Sequence, residues 1–344
     1  MIRLIIFSLI IAGLTACNTA TNDQYQNSHL KYIESNYPAD IFPATIQSLE
    51  EAHLITQVHD GLIRLNPKSN KLEGRLAKRW VVNNNHDKII FHLHDNILFH
   101  DDDCFENGEN RKLDAHDVKY AFEYTFWYKA KKGKSIGLLG DIKGGDAFFD
   151  LADSADFESG KLEGIVVRDS LTIVFYLNKS NPGFVYSLVN PDMVILPPEG
   201  IKKYGNDCMV GCGAFEMEHF NPKTDSVVMI KNEDYYQKDK NGLQLPYLDR
   251  VTAIFEATPA KSLRLIRDEK ADFLMTMNQK QVTKFVEENI NLFENEDPEL
   301  VLEQPRGMEN TKIFMVRRSK IKNLEYGSMN FLYLDQVKLT EGKN

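Results

Sequence analysis

Between residues 92 and 104 the chain carries a group of side chains whose types could bind a metal ion. They are His92, His94, His100, Asp101, Asp102, Asp103 and Cys104. His92 and His94 lie two residues apart, so on a strand both imidazoles would face the same side and could chelate zinc or nickel. The aspartates lack the ligand spacing and the central glycine of a calcium loop. The residues alone leave two interpretations open, a metal site and a solvated strand face.

No pairing of a nucleophile with a base stands out elsewhere in the sequence. The chain contains no H-E-x-x-H zinc motif. Gly137, Gly140, Gly144 and Gly145 do not follow an apolar strand, as the glycines of a phosphate-binding loop would. The sequence therefore predicts no catalytic residue, no cofactor and no enzymatic activity.

The elements that would position these side chains can be read from the hydrophobic pattern. Ile89, Phe91 and Leu93 alternate with Ile90, His92 and His94, a period of two that predicts a strand buried on one face. A polar loop follows, and Asp114 then precedes apolar residues at helical spacing, beginning with Val118. Asp114 is therefore predicted to cap the amino end of a helix.

The amino terminus has the pattern of a bacterial export signal. A positive start and a short apolar run are followed by Leu14-Thr15-Ala16-Cys17, which resembles a lipoprotein cleavage site. We expect residues 1–17 to be a lipoprotein signal peptide and Cys17 to carry lipid, which would anchor the protein to a membrane. The alternative is an ordinary secretory peptide. Residues 18–28 are polar and are predicted to be a flexible tether.

Composition restricts the class of protein further. With 344 residues the chain is long enough for two domains, and its 42% hydrophobic and 26% charged residues are ordinary for a soluble globular protein. The net charge of −9 argues against a nucleic-acid partner, because phosphate binding needs a basic face. Strands and helices are mixed without regular alternation, which favours an α+β or complex α/β fold over a doubly wound one.

Three cysteines follow Cys17, namely Cys104, Cys208 and Cys212. An oxidising compartment would permit a disulfide, and Cys208 and Cys212 are close enough in sequence to pair across a tight loop. Cys104 could also pair with either of them, and buried free thiols are a further alternative.

Six groups of short motifs occur in a fixed order along the chain. They are VHDGL (58–62); GRLAKRW (74–80); FHLH (91–94) with FHDD (99–102) and LDAHDVKYAF (113–122); GCGAF (211–215); KNEDYY (231–236) with PYLDRV (246–251); and EKAD (269–272). Together they resemble the family 5 extracellular solute-binding proteins, the peptide-, dipeptide- and nickel-binding lipoproteins of ABC importers. That family has polar residues at the solvent-facing positions that His92 and His94 occupy. The resemblance thus implies a solvated strand face and no metal site.

The resemblance also implies a fold. We expect an α+β lobe of the periplasmic-binding-protein type II class with an extra subdomain and an incomplete second lobe. Residues 29–57 plus 178–256 would form lobe I, residues 58–177 the inserted subdomain, and residues 257–344 the start of lobe II. An incomplete lobe would expose apolar surface on Phe273, Leu274, Phe331 and Leu334.

The function implied by the resemblance is capture of peptides outside the cytoplasmic membrane. The cleft segment of the family corresponds here to Glu34, Ser35, Asn36 and Tyr37. The expected partners are a peptide ligand, the permease subunits of an ABC importer and, through the N-terminal lipid, a membrane. One alternative is a truncated lipoprotein that cannot transport and acts as an interaction or holding protein. A lipid-anchored hydrolase is a further alternative.

Overall fold

The computed structural model describes residues 28–66, 69–135, 137–152, 156–157, 160, 162–220, 225–277, 279–294, 300–303, 313–317, 321–322, 325–326 and 332–339. The helices in this part of the chain are α1 (Leu49–Val58), α2 (Ala115–Lys131), α3 (Gly145–Ala152), α4 (Phe184–Ser187), α5 (Pro198–Tyr204), α6 (Pro259–Arg267) and α7 (Gln279–Glu288).

The first nine strands in chain order are β1 (His29–Glu34), β2 (Ile63–Leu65), β3 (Leu72–Gly74), β4 (Ala77–Val82), β5 (Lys88–Leu93), β6 (Ile165–Asp169), β7 (Thr172–Tyr176), β8 (Phe215–His219) and β9 (Ser226–Lys231). The later strands are β10 (Arg250–Phe255), β11 (Phe273–Met277), β12 (Val301–Glu303), β13 (Ile313–Val316), β14 (Ile321–Lys322), β15 (Glu325–Tyr326), β16 (Leu332–Tyr333) and β17 (Lys338–Leu339).

The larger sheet has seven strands in the order β12-β13-β11-β1-β10-β9-β8. The central strand β1 runs parallel to both β10 and β11, and the remaining pairs are antiparallel. Both faces of this sheet are buried. Tyr32 stacks on Phe273 in the main core on one face, whereas Ile33 and Leu274 pack under α6 and α7 on the other.

The smaller sheet has four antiparallel strands in the order β4-β5-β7-β6. The predicted alternation of β5 is confirmed, because Ile89, Phe91 and Leu93 are buried while their neighbours are half-buried. Helix α2 packs on the buried face, where the ring centroids of Phe122 and Phe175 lie 5.1 Å apart. Aromatic side chains thus pack helix α2 against the sheet as two adjacent layers.

The amino end of α2 is closed by a capping box. The Asp114 carboxylate accepts hydrogen bonds from the backbone N–H groups of His116 (2.7 Å) and Asp117 (3.3 Å). The Asp117 carboxylate accepts in return from the backbone N–H of Asp114 (2.9 Å). The predicted N-cap is therefore confirmed, and the reciprocal partner satisfies a further amide.

The glycine corner at residues 211–213 lies against the carboxyl end of α1. The backbone N–H of Gly213 donates to the carbonyl oxygen of Val58 at 2.9 Å. A β-carbon on Gly211 would lie 2.0 Å from that same oxygen, and one on Gly213 would lie 2.5 Å from the carbonyl oxygen of Gln57. Only glycine permits this close approach, so packing against α1 explains why Gly211 and Gly213 are glycines.

The expected exposure of apolar side chains near the C-terminus is wrong for the residues that the structure describes. Phe273, Leu274 and Leu334 are 1%, 2% and 0% exposed, and Phe331 lies outside the described residues. Phe273 and Leu274 are buried because β11 pairs with β1 and is covered on both faces. The sheet that contains β1 therefore continues past the predicted boundary at residue 256.

Among the helices that the structure describes, none combines the length and the apolar character needed to cross a membrane.

Replacing Asp114 with alanine should lower the free energy of unfolding by about 1 kcal/mol, because two amides of the first helical turn lose their acceptor. Urea unfolding followed by circular dichroism measures this change. Asp114→Asn keeps an acceptor at the same position and should lie within about 0.5 kcal/mol of the parent. Equal destabilisation by both substitutions would contradict the capping role.

Candidate functional site

The predicted cleft segment lies at the edge of the larger sheet where its parallel strands end. Because β1, β10 and β11 run in the same direction, their carboxyl ends meet at one edge. The backbone N–H of Glu256, just after β10, donates to the carbonyl oxygen of Glu34 at 2.9 Å. Ligands of open α/β sheets bind outside the carboxyl ends of strands, so this edge is the candidate site.

Glu34 faces the protein interior and anchors the segment. Its carboxylate accepts a hydrogen bond from Nδ1 of His53 on α1 at 2.7 Å, and both side chains are almost fully buried. The bond ties the end of β1 to the helix that follows it. Glu34 therefore holds the start of the segment from the protein interior. The sequence alone did not predict its partner His53.

The other three predicted residues lie nearer the surface. Asn36 is exposed, and its amide donates to Glu50 at 2.9 Å. The Tyr37 ring is half-buried, with its centroid 4.8 Å from that of Phe255 and 5.8 Å from that of Phe220. Ser35, also half-buried, lies between Glu34 and Asn36. The structure thus brings together a bend at Ser35 and Asn36 and a supported aromatic ring at this edge.

A buried ionic junction lies below α1, and sequence reasoning did not predict it. Arg75 binds Asp60 through Nη2 at 2.7 Å and Asp335 through Nη1 at 2.8 Å. The hydroxyl groups of Tyr235 and Tyr236 both donate to the second oxygen of Asp60, at 3.1 and 2.9 Å. The junction therefore joins four separate parts of the chain through one guanidinium group.

Arg64 balances the charge of this junction. Its Nη1 lies 3.3 Å from Asp335, and its guanidinium group lies 5.0 Å from the centroid of the Tyr333 ring. Burial would raise the pKa of Asp335, but Arg75 and Arg64 outweigh that effect and hold the pKa below its ordinary value. Asp335 therefore remains a carboxylate at neutral pH, although it is fully enclosed.

Gln57 on α1 holds the backbone next to Asp335. Its side-chain amide donates to the carbonyl oxygen of Leu332 at 2.9 Å and accepts from the backbone N–H of Leu334 at 3.1 Å. These bonds satisfy both neighbouring backbone groups in the interior. Residues 332–335 are consequently fixed against α1 beside the ionic junction.

The three histidines of the hypothetical metal site have separate structural partners. His100 is buried; its Nε2 donates to the carbonyl oxygen of Gly213 and its Nδ1 accepts from the backbone N–H of Gly211. Burial lowers the pKa of His100 to about 4. His92 lies near Thr172, and His94 lies beside the ring of Tyr236. In the described part of the chain, no three His, Cys, Asp or Glu side chains are arranged to hold a metal ion.

The candidate disulfide is not present in the structure. Cys104, Cys208 and Cys212 are all free thiols, and the latter two are fully buried. The Cys208 sulfur packs so closely against Gly200 that a β-carbon there would lie 2.6 Å away. Burial raises the pKa of Cys208 to about 11, as expected for an unreactive buried thiol. The predicted lipidation site, Cys17, lies outside the described residues.

Residues 133–137 read GKSIG and match the spacing of the G-x-S-x-G nucleophile motif, a match that sequence reasoning missed. Ser135 is exposed in a loop after α2, and its hydroxyl group accepts a hydrogen bond from the backbone N–H of Gly137 at 3.1 Å. The nucleophile motif requires a strand-to-helix turn, which this loop does not form. The match therefore gives no support to a hydrolase.

The mixed α+β architecture is that of the periplasmic-binding-protein type II class, as predicted. The family model described as bacterial extracellular solute-binding proteins, family 5 middle region, matches residues 71–320. The chain belongs to this family. No curated protein matches the sequence.

Solved structures support the fold at low sequence identity. OppA of Burkholderia pseudomallei is 18% identical, with a TM-score of 0.65 over 81% of this chain and 51% of that one. The murein tripeptide binding protein MppA of Escherichia coli is 17% identical, with a TM-score of 0.63 over 81% and 50%. A periplasmic oligopeptide-binding protein from Borrelia burgdorferi is 20% identical, with a TM-score of 0.64 over 78% and 50%. The chain therefore spans about half the length of these structures.

Replacing Asp335 with asparagine should lower the free energy of unfolding by about 3 kcal/mol at pH 7, because Arg75 and Arg64 lose a buried counter-ion. The depressed pKa means that this stabilisation is complete above the unfolded value of about 3.9 and is lost as pH falls through the folded value. The difference in the free energy of unfolding between the parent and Asp335→Asn should therefore be constant from pH 7 to pH 5 and shrink below about pH 4.

Urea unfolding at pH 7, 5 and 3 measures this dependence. Asp268→Asn is the matched control, since Asp268 pairs with Arg264 and Arg267 at the exposed end of α6. Its effect should stay below about 1 kcal/mol. A pH-independent difference for Asp335→Asn would show that the carboxylate does not interact with the two arginines as described.

Proposed function

We propose that the chain binds peptides at the edge formed by Ser35, Asn36 and Tyr37 and supplies them to the membrane permease of an ABC importer. The observation that carries this proposal is the position of the segment, which leaves β1 through a bend at Ser35 and Asn36 at the carboxyl edge of the sheet. An extended peptide can bind a protein main chain at such an edge by backbone hydrogen bonds. Membership of a solute-binding family supports this role, and the role requires no catalytic step.

Tyr37 is the side chain best placed to contact a bound peptide. Phe220 and Phe255 support its ring from within the protein, which limits the rotamer entropy that binding would cost. Aromatic side chains held in this way provide a large apolar contact area in recognition sites. The buried pair of Glu34 and His53 holds the preceding backbone in place, so the edge is pre-organised.

In this proposal a second lobe closes over the ligand about a hinge, and differential affinity for the closed state drives the closure. The match covers only about half of each similar structure, so those proteins contain a second portion of comparable size that could supply such a lobe. The protein would act outside the cytoplasm, on a membrane anchor at Cys17.

Isothermal titration calorimetry with a mixed library of short peptides, followed by single peptides, tests the binding role. We expect dissociation constants near the micromolar range, which corresponds to roughly −8 kcal/mol. Tyr37→Ala should weaken binding by about tenfold through loss of the aromatic contact. Tyr37→Phe, which keeps the ring, should bind within about threefold of the parent.

The matched control is Tyr186→Ala, because Tyr186 is a tyrosine that is 54% exposed on α4. It should leave peptide affinity unchanged. The absence of binding heat with any peptide, or an equal loss in the Tyr37→Ala and Tyr186→Ala variants, would reject the proposed edge.

The membrane anchor is tested separately by metabolic labelling with a radioactive fatty acid in a bacterial host. The parent chain should incorporate label and sediment with membranes, because several acyl chains together give stable anchoring. Cys17→Ser should abolish both, whereas Cys104→Ser should abolish neither. Release of the unlabelled parent protein into the soluble fraction would contradict the lipoprotein assignment.

A further inference from the structure

Helices α6 and α7 form the walls of an open groove. The groove has a volume of about 460 Å³, which is within the range of small-molecule sites, roughly 300 to 1,000 Å³. The helices cover the sheet face that contains Ile33, Leu274 and Met315, and the groove lies on their outer side. It is separate from the segment at Ser35 to Tyr37, since none of those residues lines it.

The base of the groove is apolar. Leu263 on α6 and Phe285 on α7 line it and are almost fully buried in the second hydrophobic cluster. Pro259 and Ala260 continue the apolar lining toward the amino end of α6. An aliphatic chain placed here would cover this surface and be stabilised by its removal from water.

The rim of the groove is cationic. Three cationic side chains line it, namely Arg264, Arg267 and Lys284, together with one carboxylate, that of Glu288. Within the described residues, these cations pair with exposed carboxylates, as Arg264 does with Asp268 at 3.6 Å and Lys284 with Glu288 at 3.8 Å. Exposed pairs of this kind are weak, so the cations can turn toward another anion. A positive rim is notable in a chain whose net charge is −9.

We infer that this groove is a second binding site, for an amphipathic anion that carries a carboxylate head on a short aliphatic chain. The apolar base receives the chain, and the two guanidinium groups bind the head, for which their planar donors are geometrically suited. The groove does not suit an amphipathic cation, because the positive rim would repel its head.

Calorimetry of the full chain with decanoate, below its micelle concentration, tests the inference. Decanoate should bind, and decyltrimethylammonium, which has the same chain with the opposite charge, should not. The double variant Arg264→Gln/Arg267→Gln should bind decanoate at least about fivefold more weakly. Lys261→Gln is the matched control, because Lys261 lies on the same helix but does not line the groove. The affinity of this variant for decanoate should be unchanged.

Ala260→Phe tests the apolar part independently, since it fills the groove from an exposed position. It should also weaken decanoate binding at least about fivefold, while leaving the circular dichroism spectrum and the unfolding midpoint unchanged. Failure of decanoate to bind, equal binding of the two amphiphiles, or equal losses in the Lys261→Gln and arginine variants would each overturn the inference.

Discussion

The buried ion pair between Arg75 and Asp60 is the interaction on which the arrangement of the chain depends. It joins the carboxyl end of α1 to the turn between β3 and β4, and Asp335 adds the last described segment to the same guanidinium group. A charge removed from water costs several kcal/mol unless its partners are close and well oriented. Each segment that brings a partner is therefore held at a defined position, and displacement of one would leave the others unpaired.

Around this junction, the motifs that characterise the family meet in space. His100 and Asn232 both donate to the carbonyl oxygen of Gly213, and Gly213 in turn donates to Val58 at the end of α1. Four motifs that are far apart in sequence thus share one hydrogen-bond network. These family residues thus have structural roles, and they are distinct from the segment proposed to bind ligand.

The position of the proposed binding edge depends on the same helix. Helix α1 is held by the junction at its carboxyl end and by the pairing of His53 with Glu34 nearer its amino end. The same helix therefore connects the family network to the segment that begins at Ser35. A rigid support with few specific side chains suits the recognition of peptide backbones, because the main chain is common to all peptides.

The sequence by itself determined the elements whose causes are local. Alternation of Ile89, Phe91 and Leu93 predicted β5, and Asp114 predicted the start of α2, because side-chain periodicity and amide capping act within a few residues. The order of motifs also identified the family and with it the α+β fold of the type II class. The residues of the proposed binding edge came from that resemblance, since their types alone carry little signal.

Only the tertiary structure decided which distant groups are neighbours. In the structure Glu34 bonds to His53 in the interior, and Arg75 pairs with both Asp60 and Asp335. His92, His94 and His100 lie in different environments. The structure also places β11 beside β1, so that Phe273 and Leu274 are buried where exposure was expected. The physical reason is that strand pairing and buried ion pairs join residues up to about 270 positions apart, which no local pattern encodes.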